Sequence, residues 1–204
     1  MVVFDLFLQG GLVMWPLLLC SIVALAILFE RLRTYNRAES DMERYRSNLP
    51  GLAAEADWEG ILELCSVKDC IVGRVISSAV RTSRSVERQT VLVEAAALTE
   101  AAKLRAYLRY LETIVTLAPL LGLLGTVTGM ISSFNVLSVS EGQPFAITGG
   151  VGEALVATAA GLLVAILALV IHTYLTQRQD SLISDMEEAG TLYLASLEAG
   201  RYEG

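Results

Sequence analysis

The chain has 204 residues, 54% of them hydrophobic, and a formal net charge of −7. Its mean hydropathy of +0.56 is rare for a soluble domain of this size, so the composition favours a membrane protein. Basic residues form no patch beyond those that flank apolar runs, and the acidic excess lies mostly after Gln179, so nucleic acid is not an expected partner. Cys65 and Cys70 lack a second pair at zinc-binding spacing, so we expect no metal site, and nothing else in the chain indicates a cofactor.

The first apolar run extends from Leu6 to Phe29 and contains no charged residue. It could be mistaken for a secretory signal peptide, but no basic residue precedes it and it exceeds the usual length of a signal-peptide core. A helix of about 20 apolar residues spans the hydrocarbon of a bilayer, and this run is long enough. We therefore expect residues 1–29 to form a retained transmembrane helix.

The next segment, residues 30–112, balances its acidic and basic residues and contains many good helix formers. We expect the first span to extend into it and to break at Pro50 and Gly51, because proline interrupts helices. The sequence pattern predicts further helical stretches at 41–49, 55–65 and 71–84. Val86–Glu112 contains no Gly or Pro, so it is predicted to continue into the second span as one long helix. The segment therefore reads as a packed helical bundle without a catalytic loop.

Two further uncharged runs follow, Thr113–Ser140 and Ala154–Gln177. Each is long enough to cross a bilayer, and together they predict a membrane hairpin. We assign the second span to 113–140, a short external loop to 141–147 and the third span to 148–177.

The remaining residues, 178–204, are expected to continue the third span as an amphipathic cytoplasmic helix that packs on the 86–112 helix. Its apolar residues recur at steps of three and four: Leu182, Met186, Ala189, Tyr193 and Leu197.

The flanking charges predict the orientation of the three spans. Basic residues follow the first span, precede the second and follow the third. The loop between the second and third spans has Glu141 as its only charged residue. The positive-inside rule then places the N-terminus outside and both the 30–112 segment and the C-terminal tail in the cytoplasm. The predicted fold class is an all-α polytopic membrane protein.

The second span carries Gly122, Gly125 and Gly129, which would let another helix backbone pack closely in lipid. Thr126 and Thr128 lie among them. A lone threonine in a membrane helix is usually a packing residue whose hydroxyl bonds a carbonyl of its own helix. That interpretation stands beside the alternative in which Thr126 lines a pore.

The third span carries a stripe of small residues that includes Thr158 and Gly161. Thr158 is expected about 15 Å from the outer end of its helix, near the middle of the bilayer. Thr126 is also near the centre of its span. Two hydroxyls at matched depth could line a narrow polar path without the cost of a buried charge.

Glu153 is the only acid between the external loop and Asp180. It lies about 140° around the helix from Thr158 and close to the outer edge, so it can be a pore-mouth or inter-subunit acid as readily as a functional one. No Asp, Glu, Lys or Arg lies at the middle of any span. A proton relay through this chain would therefore need a carboxylate from a partner.

The strings LAPLLGLLGTVTGM (Leu117–Met130) and GVGEALVATAAGLLVAI (Gly150–Ile166) resemble the family of ExbB and TolQ proton-channel subunits, which includes MotA. GGLVMWPLLLCSI (Gly10–Ile22) is also similar, and ExbB fits better than MotA, which has four spans. The resemblance implies a homopentamer in the cell inner membrane around an ExbD- or TolR-like single-span subunit that brings an Asp. It also implies a TonB- or TolA-like protein that transmits energy to the outer membrane.

Within this resemblance, Thr126, Thr158 and Glu153 correspond to the family's pore residues. One position departs from the family, because Leu167 stands where relatives usually have Pro. The absence of this proline should straighten the lower part of the third span. The leading hypothesis is a proton-channel subunit that couples proton-motive force to transport or mechanical work. The alternatives are a non-conducting membrane scaffold and an intramembrane enzyme, for which no motif is present. An ExbB-like role, a TolQ-like role, and H⁺ or Na⁺ as the ion remain open.

Overall fold

The computed structural model describes residue 7 and residues 9–139 and 145–203. Within these ranges every regular element is helical, which confirms the all-α class. The helices are α1 (Met14–Ala38), α2 (Met42–Ala54), α3 (Trp58–Ser66), α4 (Ile71–Thr82), α5 (Val86–Arg105), α6 (Leu108–Val139) and α7 (Phe145–Glu203).

Three helices of the described chain are long and apolar enough to cross a membrane. Their most apolar windows have mean hydropathies of 1.9, 2.0 and 2.8 in chain order. Large apolar side chains remain exposed along them, for example Leu120, Leu163 and Ile166. Exposed leucines on a long apolar helix are suited to contact with lipid or another subunit. Most of the predicted external loop, 141–147, lies outside the described residues.

The chain divides into two compact units, of which the first comprises Met1–Phe29 and Tyr107–Tyr174. Its core brings together Val13 from the turn before α1, Leu17 from α1, Ala118 from α6 and Ala165 from α7. Pro16 is tolerated in the first turn of α1, because the N–H that proline lacks has no partner within the helix there.

The second unit comprises Glu30–Ala106 and Leu175–Gly204 and has a conventional packed core. The five apolar residues predicted on one face of the tail are all buried, which confirms that amphipathic pattern: Leu182, Met186, Ala189, Tyr193 and Leu197. The contact of the tail with α5 is also present, since a methyl group built on Gly190 would lie 3.3 Å from Cγ1 of Val93.

The predicted break at Pro50 is wrong, because Pro50 lies inside α2. The chain breaks earlier, between the end of α1 at Ala38 and the start of α2. Asp41 causes the new start, because its side chain accepts a hydrogen bond of 3.3 Å from the backbone N–H of Arg44.

The prediction of one continuous helix from Val86 into the second span is also wrong. α5 ends at Arg105, and Tyr107 adopts a left-handed backbone conformation with φ of 67° before α6 begins. Side chains from α1 bind the last carbonyls of α5. The Arg31 guanidinium donates to the carbonyl of Lys103 at 3.0 Å, and the Tyr35 hydroxyl donates to that of Leu104 at 2.9 Å. These bonds replace the intrahelical partners that the end of a helix lacks.

Candidate functional site

Glycine residues let α6 and α7 pack with their backbones close together. Gly122, Gly125 and Gly129 are buried on α6, and Gly161 is buried on α7. A methyl group built on Gly161 would lie 2.7 Å from the Ala118 carbonyl oxygen. One built on Gly122 would lie 3.2 Å from the Thr158 Cα. Even alanine at these sites would push backbone against backbone, so the small residues permit this separation of the helices.

The side chain of Thr158 points at α6. Its hydroxyl lies 3.1 Å from the carbonyl oxygen of Gly122 and 3.2 Å from that of Ala154 one turn earlier on α7. A hydroxyl has a single proton, so the two carbonyls share it or compete for it. The side chain is half-buried. Thr158 therefore places a hydroxyl at the seam between α6 and α7, which is the contact formed by Gly122, Gly125, Gly129 and Gly161.

Thr126 lies one helical turn beyond Gly122 but makes a different bond. Its hydroxyl donates to the carbonyl of Leu123 in the same helix at 2.6 Å. Thr128 likewise bonds only carbonyls of α6, those of Leu124 and Gly125, both at 3.1 Å. The structure thus brings Thr158 to α6 but records no hydrogen bond between the Thr126 and Thr158 hydroxyls. The Thr126 hydroxyl therefore bonds within its own helix, as expected for a threonine that only packs. The Thr158 hydroxyl instead forms a hydrogen bond between two helices.

Glu153 lies against the turn that precedes α1. Gly11 has a φ of 68°, and a side chain built on it would overlap the Oε1 atom of Glu153. Glycine suits this position twice, because it tolerates the positive φ and leaves room for the carboxylate. Glu153 makes no ion pair with the described part of the chain. It is half-buried on α7, five positions before Thr158.

Two contributors to this seam were not singled out by the sequence patterns. Ser133 is 2% exposed on α6, and its hydroxyl bonds the Gly129 carbonyl at 3.0 Å. Gly150 on α7 lies beside it, since a methyl group built there would overlap the Ser133 hydroxyl. A polar residue four positions after Gly129 was the available signal, because that spacing places both on one helix face.

Other features of the first unit do not extend the seam. Leu167, at the usual proline position, lies in the interior of α7 and is 61% exposed. In the described chain, no group of three or more His, Cys, Asp or Glu residues could hold a metal ion.

Comparisons with known proteins place this geometry in context. The model of the MotA/TolQ/ExbB proton channel family matches residues 67–188. The biopolymer transport protein ExbB-like 1 of Synechocystis sp. is 40% identical over 181 residues, which are 86% of this chain and 71% of the relative. ExbB-like 3 of the same organism is 34% identical over 200 residues, which are 91% of this chain and 90% of the relative. The Tol-Pal system protein TolQ of Pseudomonas aeruginosa is 39% identical over 85 residues, which are 41% of this chain and 37% of that protein.

Proposed function

The chain belongs to the MotA/TolQ/ExbB proton channel family, and we propose that it is an ExbB-like proton-channel subunit of an inner-membrane motor. The motor would couple proton-motive force to transport or mechanical work at the outer membrane. Membership already implies a multi-pass membrane protein of a channel family, which is not a family of enzymes. The observation that carries the proposal is the Thr158 hydroxyl at the glycine-lined seam, within 3.1 Å of the Gly122 carbonyl.

The proposed path runs along α6 and α7. Threonine hydroxyls can both donate and accept hydrogen bonds, so Thr158 and Thr126 can be links in a chain of hydrogen bonds through a narrow space. They cannot take up a proton near neutral pH, and no charged residue lies between Thr113 and Ser140 or between Ala154 and Gln177. His172 lies near the cytoplasmic end of the third run rather than at its middle, so we place the mid-membrane titrating group on another protein. We assign it to an Asp on a single-span, ExbD- or TolR-like partner seated among several copies of this chain.

The proposed topology follows the flanking charges. The spans are 1–29, 113–140 and 148–177, with 30–112 and 178–204 in the cytoplasm and 141–147 outside. Five copies would surround the partner, and a TonB- or TolA-like protein would transmit the motion. The second candidate is a non-conducting scaffold. It is supported by the same glycine contacts, which need no ion path.

A liposome experiment separates the two candidates. Proton flux after a pH jump is measured for vesicles that contain this chain alone, the chain with its single-span partner, and the chain with a partner whose Asp is changed to Asn. We expect little flux from the chain alone, strong flux with the partner, and loss of flux with the Asn partner although the complex remains assembled. Asn fills the same volume but takes up no proton.

Strong flux from the chain alone would mean that the proton carrier has been placed in the wrong subunit. Absence of flux with an assembled and intact partner would favour the scaffold. Repeating the pH-jump experiment with a sodium gradient decides between H⁺ and Na⁺ as the coupling ion.

A further inference from the structure

A groove runs along the second unit between α5 and the C-terminal part of α7. It has a volume of about 690 Å³. Its walls are mainly apolar and include Ala97 and Leu98 from α5 and Ile183 and Met186 from α7. Leu98 is 67% exposed, although it lies outside the three apolar runs. A leucine that exposed in a non-membrane segment loses hydrophobic stabilisation unless another surface covers it.

Two acidic residues line this groove, one on each helix. Glu94 lines it from α5 and Glu187 from α7, and both side chains are exposed. Neither carboxylate has an ion-pair partner in the described chain, whereas the adjacent Glu188 is paired with Arg46. Arg105 also lines the groove. The groove therefore offers an apolar floor with two carboxylates that no ion pair of the described chain neutralises.

The same unit carries a basic patch of the opposite character, which corrects the expectation that basic residues cluster only beside the apolar runs. Arg81, Arg84 and Arg88 are exposed around the α4–α5 turn, and none forms an ion pair within the described residues. Next to them, Val91 is 66% exposed on α5. Glu87 also lies on this surface, but its charge is paired with Arg201 at 2.7 Å. The surface from Arg81 to Val91 therefore has an apolar centre and a net positive rim.

The two surfaces are neighbours around α5. Arg88 and Glu94 are about 120° apart around this helix, whereas Val91 lies only about 20° from Leu98, so the apolar centre of the patch adjoins the Leu98 side of the groove. Complementary surfaces in different places on one chain are what a closed ring of identical subunits requires, because its contacts are heterologous.

We propose that the Arg81–Val91 surface of one copy docks into the α5–α7 groove of the next copy. The apolar centre covers Leu98, and the three arginines face Glu94 and Glu187. This inference rests on the proposed assembly of several copies, and it adds the surface through which their cytoplasmic parts meet. It is charge-steered, so it should weaken as ionic strength rises.

Cross-linking in the full-length chain tests the contact directly. The double variant Glu187→Cys/Arg88→Cys and its controls are prepared with Cys20→Ala, since Cys20 is the half-buried native thiol and Cys65 and Cys70 are buried. The double variant is treated in membranes with a short bis-maleimide reagent. We expect a ladder of covalent oligomers on denaturing gels, whereas each single variant should remain monomeric because the contact joins two different surfaces. Glu63→Cys/Arg88→Cys is the matched control, since Glu63 is exposed on α3 away from the groove, and we expect no ladder from it.

Charge reversal provides the second measurement, with native mass spectrometry as the readout of assembly. Glu94→Arg/Glu187→Arg and Arg84→Glu/Arg88→Glu should each reduce the oligomer population at low salt at least about tenfold, because they juxtapose like charges. The variant with all four changes should recover it. Glu59→Arg/Glu63→Arg changes the charge equally on α3 and should leave the population unaltered.

If the wild-type chain is oligomeric but the Glu187→Cys/Arg88→Cys variant gives no ladder and both charge reversals leave the oligomer population unchanged, this interface is overturned while the ring remains. A wild-type chain that stays monomeric in membranes and by mass spectrometry would instead overturn the assembly on which both proposals depend. A ladder from either single variant would indicate a symmetric contact and would also overturn the proposal.

Discussion

At the scale of single residues, the two proposed pore hydroxyls differ in what holds them. Thr158 bonds a carbonyl of the neighbouring helix, whereas Thr126 bonds only its own. An interhelical hydrogen bond in a membrane contributes about 0.6 kcal/mol on average, so losing it should not disassemble the helices. The function of these groups can therefore be tested separately from the fold.

We expect Thr126→Val and Thr158→Val each to abolish most partner-dependent proton flux, because valine keeps the shape but carries no hydroxyl. Flux should fall at least about tenfold, as for removal of a catalytic hydrogen-bond donor, while oligomer mass is retained. Thr128→Val is the control, since Thr128 lies two residues after Thr126 and so about 160° away around α6, and it should conduct normally. Wild-type flux in the double variant would support the scaffold.

Glu153 is predicted to support conduction from the mouth of the path rather than to carry the proton. Glu153→Gln should reduce flux partially and Glu153→Ala more strongly, because Gln preserves the shape that fits against Gly11. Gly11→Ala should also reduce flux, since the added methyl group would displace the carboxylate and would strain the positive φ.

The matched control for Gly11→Ala is Gly152→Ala, because a methyl group at Gly152 would meet nothing within 4 Å. Liposome flux is the measurement for all four variants. If Gln and Ala variants assemble but are equally inactive, Glu153 itself carries the proton.

At the scale of helices, the ion pair between α4 and α5 is formed by one buried carboxylate, that of Glu100. Glu100 is 8% exposed and accepts hydrogen bonds from Arg74 at 2.9 Å and Lys103 at 2.6 Å. Burial raises the pKa of Glu100, but the hydrogen bonds and charges of Lys103 and Arg74 outweigh it and leave the pKa below its ordinary value of 4.5. The charged form is therefore stabilised by folding.

The stability from Glu100 is fully present above the pKa of the unfolded chain and disappears as pH falls through the lower folded pKa. We expect Glu100→Gln to lower the melting temperature at pH 7, since it removes the negative charge that pairs with the guanidinium of Arg74. The difference from wild type should shrink below pH 4.5. Glu63→Gln is the exposed control. A difference that is equal at pH 7 and at pH 3 to 4 would contradict the charge argument, and thermal unfolding in detergent provides the measurement.

At the scale of the whole molecule, closed-ring assembly is the main untested expectation. The glycine contacts between α6 and α7 are made within one chain, and the exposed leucines on these helices are left for lipid or other copies. Native mass spectrometry with the single-span partner co-expressed should give five copies of this chain. A monomer or dimer as the main species would contradict the proposed ring.

Much of the architecture could be read from the sequence, because its determinants are local. Three uncharged runs predict three membrane helices from length and hydropathy alone, and recurring apolar residues predict the buried face of the tail. The strings around Gly122 and Thr158 were enough to recognise the family. In each case the signal is a property of consecutive residues, which need no knowledge of their neighbours in space.

The helix boundaries and the bonding of the site depended instead on contacts between distant segments. The end of α5 is stabilised by Arg31 and Tyr35, which lie far earlier in the chain and bind the carbonyls of its last turn. The pairing of Thr158 with Gly122 and the place of Glu153 beside Gly11 likewise join residues that are remote in sequence. A pattern of spacing shows which face a residue occupies, but its hydrogen-bond partner is set by how the helices pack.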